Sequence, residues 1–429
     1  MSSEQDTLNV YHSNLASIVG EENLIYDFDS KEIKKAISPE NLPGCIVYPQ
    51  TQSQLAEVIS EAHRNKWHVL PCGNGSKLKW GSLAKNVDIV VSTQCLNKII
   101  NHAVGDLTLT IEAGVKFTDI QSTLAKHNQF LALNPTEPEL ATIGGVIATG
   151  DTGSLRLRYG SVRDQLLGVN FVRADGQVAR AGGKVVKNVA GYDLMKLFTG
   201  SYGTLSIITE ATFRVYPMQS ASRTAVLMGS FEAISQVAET IRGSALTPIQ
   251  ADLLSSELLS SMELGKGLGL IIRFESIPES VEEQLNQVLQ IGEKLGLTNA
   301  VFSDKQEQDL WHRLPEQIHL SASESAITCK IGVLPNAAVE ILNQADLGLI
   351  NISTGLGILR FDSVNRVLEM RKLCEQKSGF LTILSAPIDI KQKVDVWGYT
   401  GNALELMRGI KKQFDSENIL SPGRFVGGI

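Results

Sequence analysis

The chain is short of the residues that build redox and metal centres. It has five cysteines in 429 residues, Cys45, Cys72, Cys95, Cys329 and Cys374. They are scattered, odd in number and include no C-x-x-C pair. That suits a reducing compartment and argues against an iron–sulfur cluster or a structural zinc held by this chain. Histidine is also scarce: none occurs between His127 and His312, and only His312 and His319 lie in the second half. No resident metal is expected. Basic charge is not in excess, with 39 Lys+Arg against 46 Asp+Glu and a net charge of −7. This excludes a general electrostatic footprint for nucleic acid. No apolar run approaches the roughly 18–20 residues of a helical membrane span. The opening MSSEQDTLNVYHSNLASIV lacks the charged and apolar regions of a secretory signal. A cytoplasmic protein is the expectation.

What remains is an ordinary globular composition, 43% hydrophobic and 20% charged, long enough for two or three domains. Glycine is the exception in its placement. Twelve of the 37 glycines fall between Gly144 and Gly203, in a segment that opens ATIGGVIATGDTG at Ala141 and closes at Tyr216. Glycine at that density lets backbone pass close to a bulky group and permits tight turns. It suits a wall around a large flat ligand, and composition alone allows a plain Gly-rich β-meander equally well. Upstream, the short strand Trp67–Pro71 runs directly into Cys72-Gly73-Asn74-Gly75-Ser76-Lys77. A strand followed by a Gly/Asn/Ser loop can form a nest of N–H groups around phosphate. Neither the Walker A spacing nor the third glycine of the Rossmann fingerprint is present, since Leu78 stands at that place.

Periodicity gives a helix within residues 4–24, a strand at 45–49, a helix from about Thr51 to Asn65, and the strand at 67–71. These form a βαβ unit, parallel by the usual rule. Strands at 87–91 and 107–114, a helix at Phe117–His127 and the run Phe130–Leu133 make a second unit. The strand-rich pattern ends at Pro217–Ser222. Beyond it strands (226–228, 251–253, 268–274, 327–332, 356–361) alternate with helices (231–242, 280–295, 336–342, 367–378). An antiparallel sheet covered by helices is predicted there.

The two glycine clusters together resemble the vanillyl-alcohol oxidase/PCMH superfamily with its FAD-binding type 4 domain, over about Asn41–Pro217. PCGNGSKL resembles its pyrophosphate loop, TIGGVIATGDTG its second FAD loop, and GSYGTLSIITEATFRVYP its closing strand. Ser421-Pro422-Gly423-Arg424 is similar to a terminal NPGR signature, with serine in the asparagine place. The resemblance implies an α+β fold: a PCMH-type FAD-binding domain of two α+β subdomains over 39–219, after an N-terminal helical segment at 1–38. An α+β cap domain with a flavin-contacting C-terminal tail follows over 220–429. It also implies FAD as cofactor. The contacts it implies are Pro71, Cys72, Gly73, Asn74, Gly75, Ser76 and Lys77 near the pyrophosphate, and Asn134 and Pro135 beside them. Thr142, Ile143, Gly144, Gly145, Thr149 and Asp151 would line the isoalloxazine. Gly203, Leu205, Ile207 and Ile208 would meet the adenine end, and Gly423 and Arg424 belong to the tail. Lys77 either adds Coulomb attraction or lies solvated. Ser161 and Asp164 read as turn-formers first and cofactor contacts second. With no histidine nearby to tether it, FAD is expected to be non-covalent.

GSVRDQLLG followed by GGKVVKNVAGYDLMKLFTGSYG is more specific still. It resembles the GlcE-type FAD-binding subunits of glycolate-oxidising complexes. That resemblance implies two partners, a GlcD-type catalytic flavin subunit and a GlcF-type iron–sulfur subunit, and leaves open a peripheral place on the inner face of a membrane. Oxidising a 2-hydroxy acid needs a base for the hydroxyl proton and cations for the carboxylate. The related catalytic subunits carry an H-x-G-D-G-N-x-H motif that this chain lacks. His312 reads as a satisfied histidine, and Arg156, Arg158, Lys184 and Lys187 as solvated charge. The expectation is an electron-handling subunit whose own catalytic residues are unknown. A self-sufficient D-lactate-type dehydrogenase and a catalytically silent FAD-binding scaffold are the alternatives.

Overall fold

The computed structural model describes residues 11, 13–26, 30–40, 42–183, 191–319 and 325–429. Two compact units emerge: residues 1–152, 161–217 and 399–429 form the first, and 153–160 with 218–398 the second. The division departs from the boundaries expected at 39–219 and 220–429 in two places. Residues 399–429 pack with the first unit, and 153–160 with the second.

The first unit holds two main sheets. In the four-stranded one, Ile89–Ser92 lies between Cys45–Val47 and Val69–Cys72 and is parallel to both. The predicted βαβ unit is therefore parallel, with a third strand inserted between its two strands. Ile89–Ser92 is buried along its whole length, which is why it reads as an unbroken apolar run. Its alternate residues enter two cores. Ile89 and Val91 meet the helix Gln52–Asn65 through Leu55, Val58 and Ile59, while Val90 faces Ile33, Ile37 and Leu78. Thr51 caps that helix as its sequence predicts, its side chain accepting from Gln54 N at 3.2 Å. The second sheet has five antiparallel strands: 99–103, 108–112, 207–214, 166–172 and 178–182 in spatial order. Leu109, Ile111, Phe171 and Phe213 point to one core there. Of the N-terminal helix predicted within 4–24, residues 11 and 13–19 are helical among those described.

The second unit is one eight-stranded sheet, antiparallel at every pairing. Helices 231–242, 278–294, 338–343 and 364–376 cover one face, and 256–261 and 304–319 pack on the other. The α+β class and the helix-covered antiparallel sheet match the sequence reading. The helix Asp304–His319 was not foreseen. Its polar face outweighs its apolar one, and Pro315 interrupts the pattern.

The C-terminal tail completes the first unit. Val69 N donates to Ile419 O and Ser421 N to Val69 O, both at 2.8 Å, so the tail flanks the strand that leads into the glycine loop. Asp415 fixes that register by accepting from Ile419 N (2.9 Å) and Leu420 N (2.7 Å). Lys411 pairs with Asp415 at 2.6 Å and donates to Thr204 O and Leu420 O, both at 2.8 Å. Both side chains are buried, so every charge there has to be met inside the protein.

Candidate cofactor cavity

A cavity of about 720 Å³, counting its open mouth, lies in the first unit. Three segments meet around it: the strand end and loop 71–78, the helix that follows Thr142, and the turn and strand start 201–208, with Arg424 from the tail.

The loop approaches the helix so closely that only glycine fits at position 73. A Cβ built there would lie 2.0 Å from Thr142 Oγ1. Gly75 is needed for a different reason. Its φ is +82°, yet a Cβ there would meet Glu32 and Leu78 at ordinary contact distance, 3.6–3.7 Å. A side chain at 75 would thus strain the backbone rather than fill the cavity.

Of the residues the sequence assigned, Pro71, Cys72, Gly73, Asn74, Gly75, Ser76, Lys77, Thr142, Gly144, Gly145, Thr149, Gly203, Ile207, Ile208 and Arg424 line the cavity. Ile143 and Leu205 do not, being buried in the hydrophobic core. Ser161 and Asp164 form a capping box on the short helix Val162–Gln165, which is the turn-forming role read first. Asn134 and Pro135 lead to Thr136, whose N–H donates to Asp151 Oδ2 at 2.8 Å. Asp151 and Gly423 do not line the cavity either; Asp151 pairs with the lining Lys77. Six lining residues were not assigned: Leu78, Thr93, Ala148, Ser201, Tyr202 and Ser206. All but Thr93 fall inside the motifs already quoted. Thr93 follows the strand 89–92 and gives no signal of its own, its N–H donating to Cys72 O at 2.8 Å.

Lys77 is not solvated. Its side chain is 6% exposed and its Nζ pairs with Asp151 Oδ2 at 2.9 Å while donating to Thr136 O. It is a buried strut between two loops, with its charge already met by a carboxylate. Arg424 is buried too, at 3% exposure, and Nη1 donates to the carbonyls of Leu78 (2.9 Å), Ala36 and Ser82 (both 3.3 Å). Burial pulls its pKa down to about 10, partly offset by Tyr202, so it stays charged near neutrality. Burial also raises the Tyr202 phenol above its usual range, with Arg424 opposing and Asp151 adding. The Cys72 thiol is pushed up to about 12 by burial, against a hydrogen bond with Ser92. It is therefore protonated and unreactive at neutral pH.

Outside the cavity, His312 is exposed on its helix, with Nδ1 3.4 Å from Glu316. Lys184 and Lys187 lie outside the described residues. Arg156 and Arg158 belong to the second unit. Among the described residues no three His, Cys, Asp or Glu side chains converge as metal ligands, and no helix is long and apolar enough to cross a membrane.

Residues 43–182 match the FAD-binding domain family, and 396–425 match the C-terminal domain of FAD-linked oxidases. The chain is thus an FAD-dependent oxidoreductase whose residues 43–182 carry an FAD-binding domain. It is 25% identical to the glycolate oxidase subunit GlcD of Bacillus subtilis, over 94% of this chain and 92% of that protein. It is 24% identical to the mitochondrial D-lactate dehydrogenase (cytochrome) of Arabidopsis thaliana, over 96% and 79%. Its fold is shared with p-cresol methylhydroxylase, with a TM-score of 0.77 at 17% identity, over 98% and 97%. The cavity suits FAD on its own terms. Its walls are largely apolar, a glycine loop edges it, and two polar atoms of lining residues, Ser206 Oγ and Arg424 Nε, are buried without partners.

Proposed function

We propose that this chain is the FAD-holding subunit of a complex that oxidises a small 2-hydroxy acid, glycolate in the first instance, beside a GlcD-type flavin subunit and a GlcF-type iron–sulfur subunit. The observation that carries this is the chemistry of the cavity wall. Its titratable groups are Cys72, Lys77, Tyr202 and Arg424. Two are held protonated by burial, one is spent on Asp151, and the guanidinium is no base. None can take the proton of a substrate hydroxyl at neutral pH. The glycolate oxidase and D-lactate dehydrogenase relatives supply the substrate class.

Bound FAD would supply a two-electron acceptor. The chain's own part is to hold it. Ile207 and Ile208 would give apolar surface at the adenine end, the loop 73–77 would hold the diphosphate, and the buried tail keeps the strand 69–72 in place. No histidine lines the cavity and Cys72 is protonated, so the cofactor is held without a covalent bond; acid precipitation should release all the flavin into the supernatant.

The test is anaerobic mixing of the purified chain with glycolate and with D-lactate, alone and with the two partner subunits. Flavin in the isolated chain should stay oxidised with both acids. Rapid bleaching in the chain alone would favour the self-sufficient dehydrogenase, the reading suggested by likeness to a D-lactate dehydrogenase over 96% of this chain. Full activity of the other two subunits without this chain would sink the subunit reading.

A further inference from the structure

Among its described residues the first unit buries three cations, and one of them has no counter-charge there. Lys77 is paired with Asp151 at 2.9 Å and Lys411 with Asp415 at 2.6 Å. Arg424 is met only by the neutral carbonyls of Ala36, Leu78 and Ser82, and among the described residues no carboxylate stands within ion-pair distance. Its Nε is buried with no partner. A buried cation left in this state costs several kcal/mol, because three carbonyl dipoles do not replace water around a full charge. A guanidinium does not escape by losing its proton near neutrality.

The location narrows what balances it. Arg424 lines the same cavity as the loop 73–78, and its strongest hydrogen bond, 2.9 Å, ties it to the last carbonyl of that loop, Leu78 O. The lysine within the loop is already neutralised. The tail that carries Arg424 is fixed by Asp415 through the N–H groups of Ile419 and Leu420. The guanidinium is therefore a preorganised charge at the cavity wall.

On the reading of the cavity as an FAD site, we propose that Arg424, and not Lys77, is the charge partner of the dinucleotide's anionic diphosphate. Lys77 is a structural strut. Discrimination for FAD over flavins without a diphosphate then comes from one residue supplied by the far end of the chain.

The test is titration of the deflavinated full chain with FAD and with riboflavin, followed by flavin fluorescence. Wild type, Arg424→Gln and Arg424→Lys are compared at low and high salt, with thermal melts to confirm folding. Glutamine keeps a donor for the carbonyls but removes the charge. Arg424→Gln should weaken FAD about 100-fold and leave riboflavin within about 3-fold, the scale expected for an unpaired buried charge. Arg424→Lys should recover much of the loss, and inorganic pyrophosphate should compete with FAD on the wild type. Equal losses for FAD and riboflavin, or unchanged FAD affinity in Arg424→Gln, would overturn the assignment while leaving the flavoprotein reading intact. A wild type that binds riboflavin and pyrophosphate but no FAD would overturn the FAD reading itself. If Arg424→Gln fails to fold, the pyrophosphate competition and the lysine variant decide.

Discussion

Among the described residues, each unit holds a buried charged side chain that is incompletely partnered, and the two can be relieved in opposite ways. In the first unit it is Arg424, with its Nε unmatched. In the second it is Asp252, fully buried in the strand 250–254, with Asn351 Nδ2 3.1 Å from Oδ1 and with Oδ2 unmatched. Burial raises the Asp252 pKa, with hydrogen bonds from Ser154 and Asn351 opposing. A carboxyl in that position takes up a proton and becomes neutral. A guanidinium has no such exit and requires an anion. A third cluster shows what a closed arrangement looks like. Glu307 accepts from Ser222 Oγ (2.8 Å), Thr224 Oγ1 (2.6 Å) and Arg273 Nε (3.2 Å), and Arg273 also pairs with Glu275 at 2.7 Å. There donors and acceptors answer one another, which marks a structural network. An unanswered charge marks a binding surface only where it cannot be discharged.

That contrast can be broken most severely at the cavity. Gly73→Val should abolish FAD binding, because the added carbons meet Thr142 and separate the loop from the helix. Titration of the folded variant with FAD checks it, and near-normal affinity would remove the loop from the site. Asp415→Ala leaves Lys411 buried and unpaired and frees the tail amides. It should cost about 3–5 kcal/mol in denaturant unfolding, and FAD affinity should fall with it because Arg424 loses its support. Glu307→Ala strips a closed network in the other unit. A loss of about 2–3 kcal/mol is expected, with FAD affinity of the folded protein unchanged. A matching loss of flavin would show that the network is not merely structural.

The smallest effect is a gain. With its folded pKa raised above the ordinary 3.8, Asp252 binds its proton more tightly in the folded chain than in the unfolded one. Stability from this group is therefore present below that ordinary value and declines as pH rises through the window up to the raised value. Asp252→Asn removes the titration and should raise stability near neutral pH. The gain should vanish in acid. Melting both proteins across the acid range tests this, and a gain that persists at low pH would mean that another cause is at work.

Most of the fold was legible because its local signals agree with its packing. Thr51 begins its helix where the capping pattern says, and Ile327–Gly332, Leu356–Phe361 and Phe231–Arg242 carry apolar periods that match their buried faces. The cavity was legible because close backbone approach leaves glycine in the sequence, as at Gly73. What escaped is what only tertiary contact decides. Nothing in PCGNGSKL tells that Lys77 will find Asp151, 74 positions on, rather than solvent or a ligand. Ile143 and Gly144 are adjacent in one motif, yet one faces the core and the other the cavity, because a short helix replaces the expected loop.

The tail has a consequence for how the protein is made. Arg424 reaches the carbonyl of Ala36 across 388 positions, and the strand edge at Val69 is completed only by Ile419 and Ser421. Contacts of such span form late, after the entropy of closing the longest loop in the chain has been met. A nascent polypeptide whose synthesis has not passed residue 424 has the glycine loops but neither the partner of the strand edge at Val69 nor the buried cation. A cavity complete with its buried guanidinium therefore exists only once synthesis has run through residue 424.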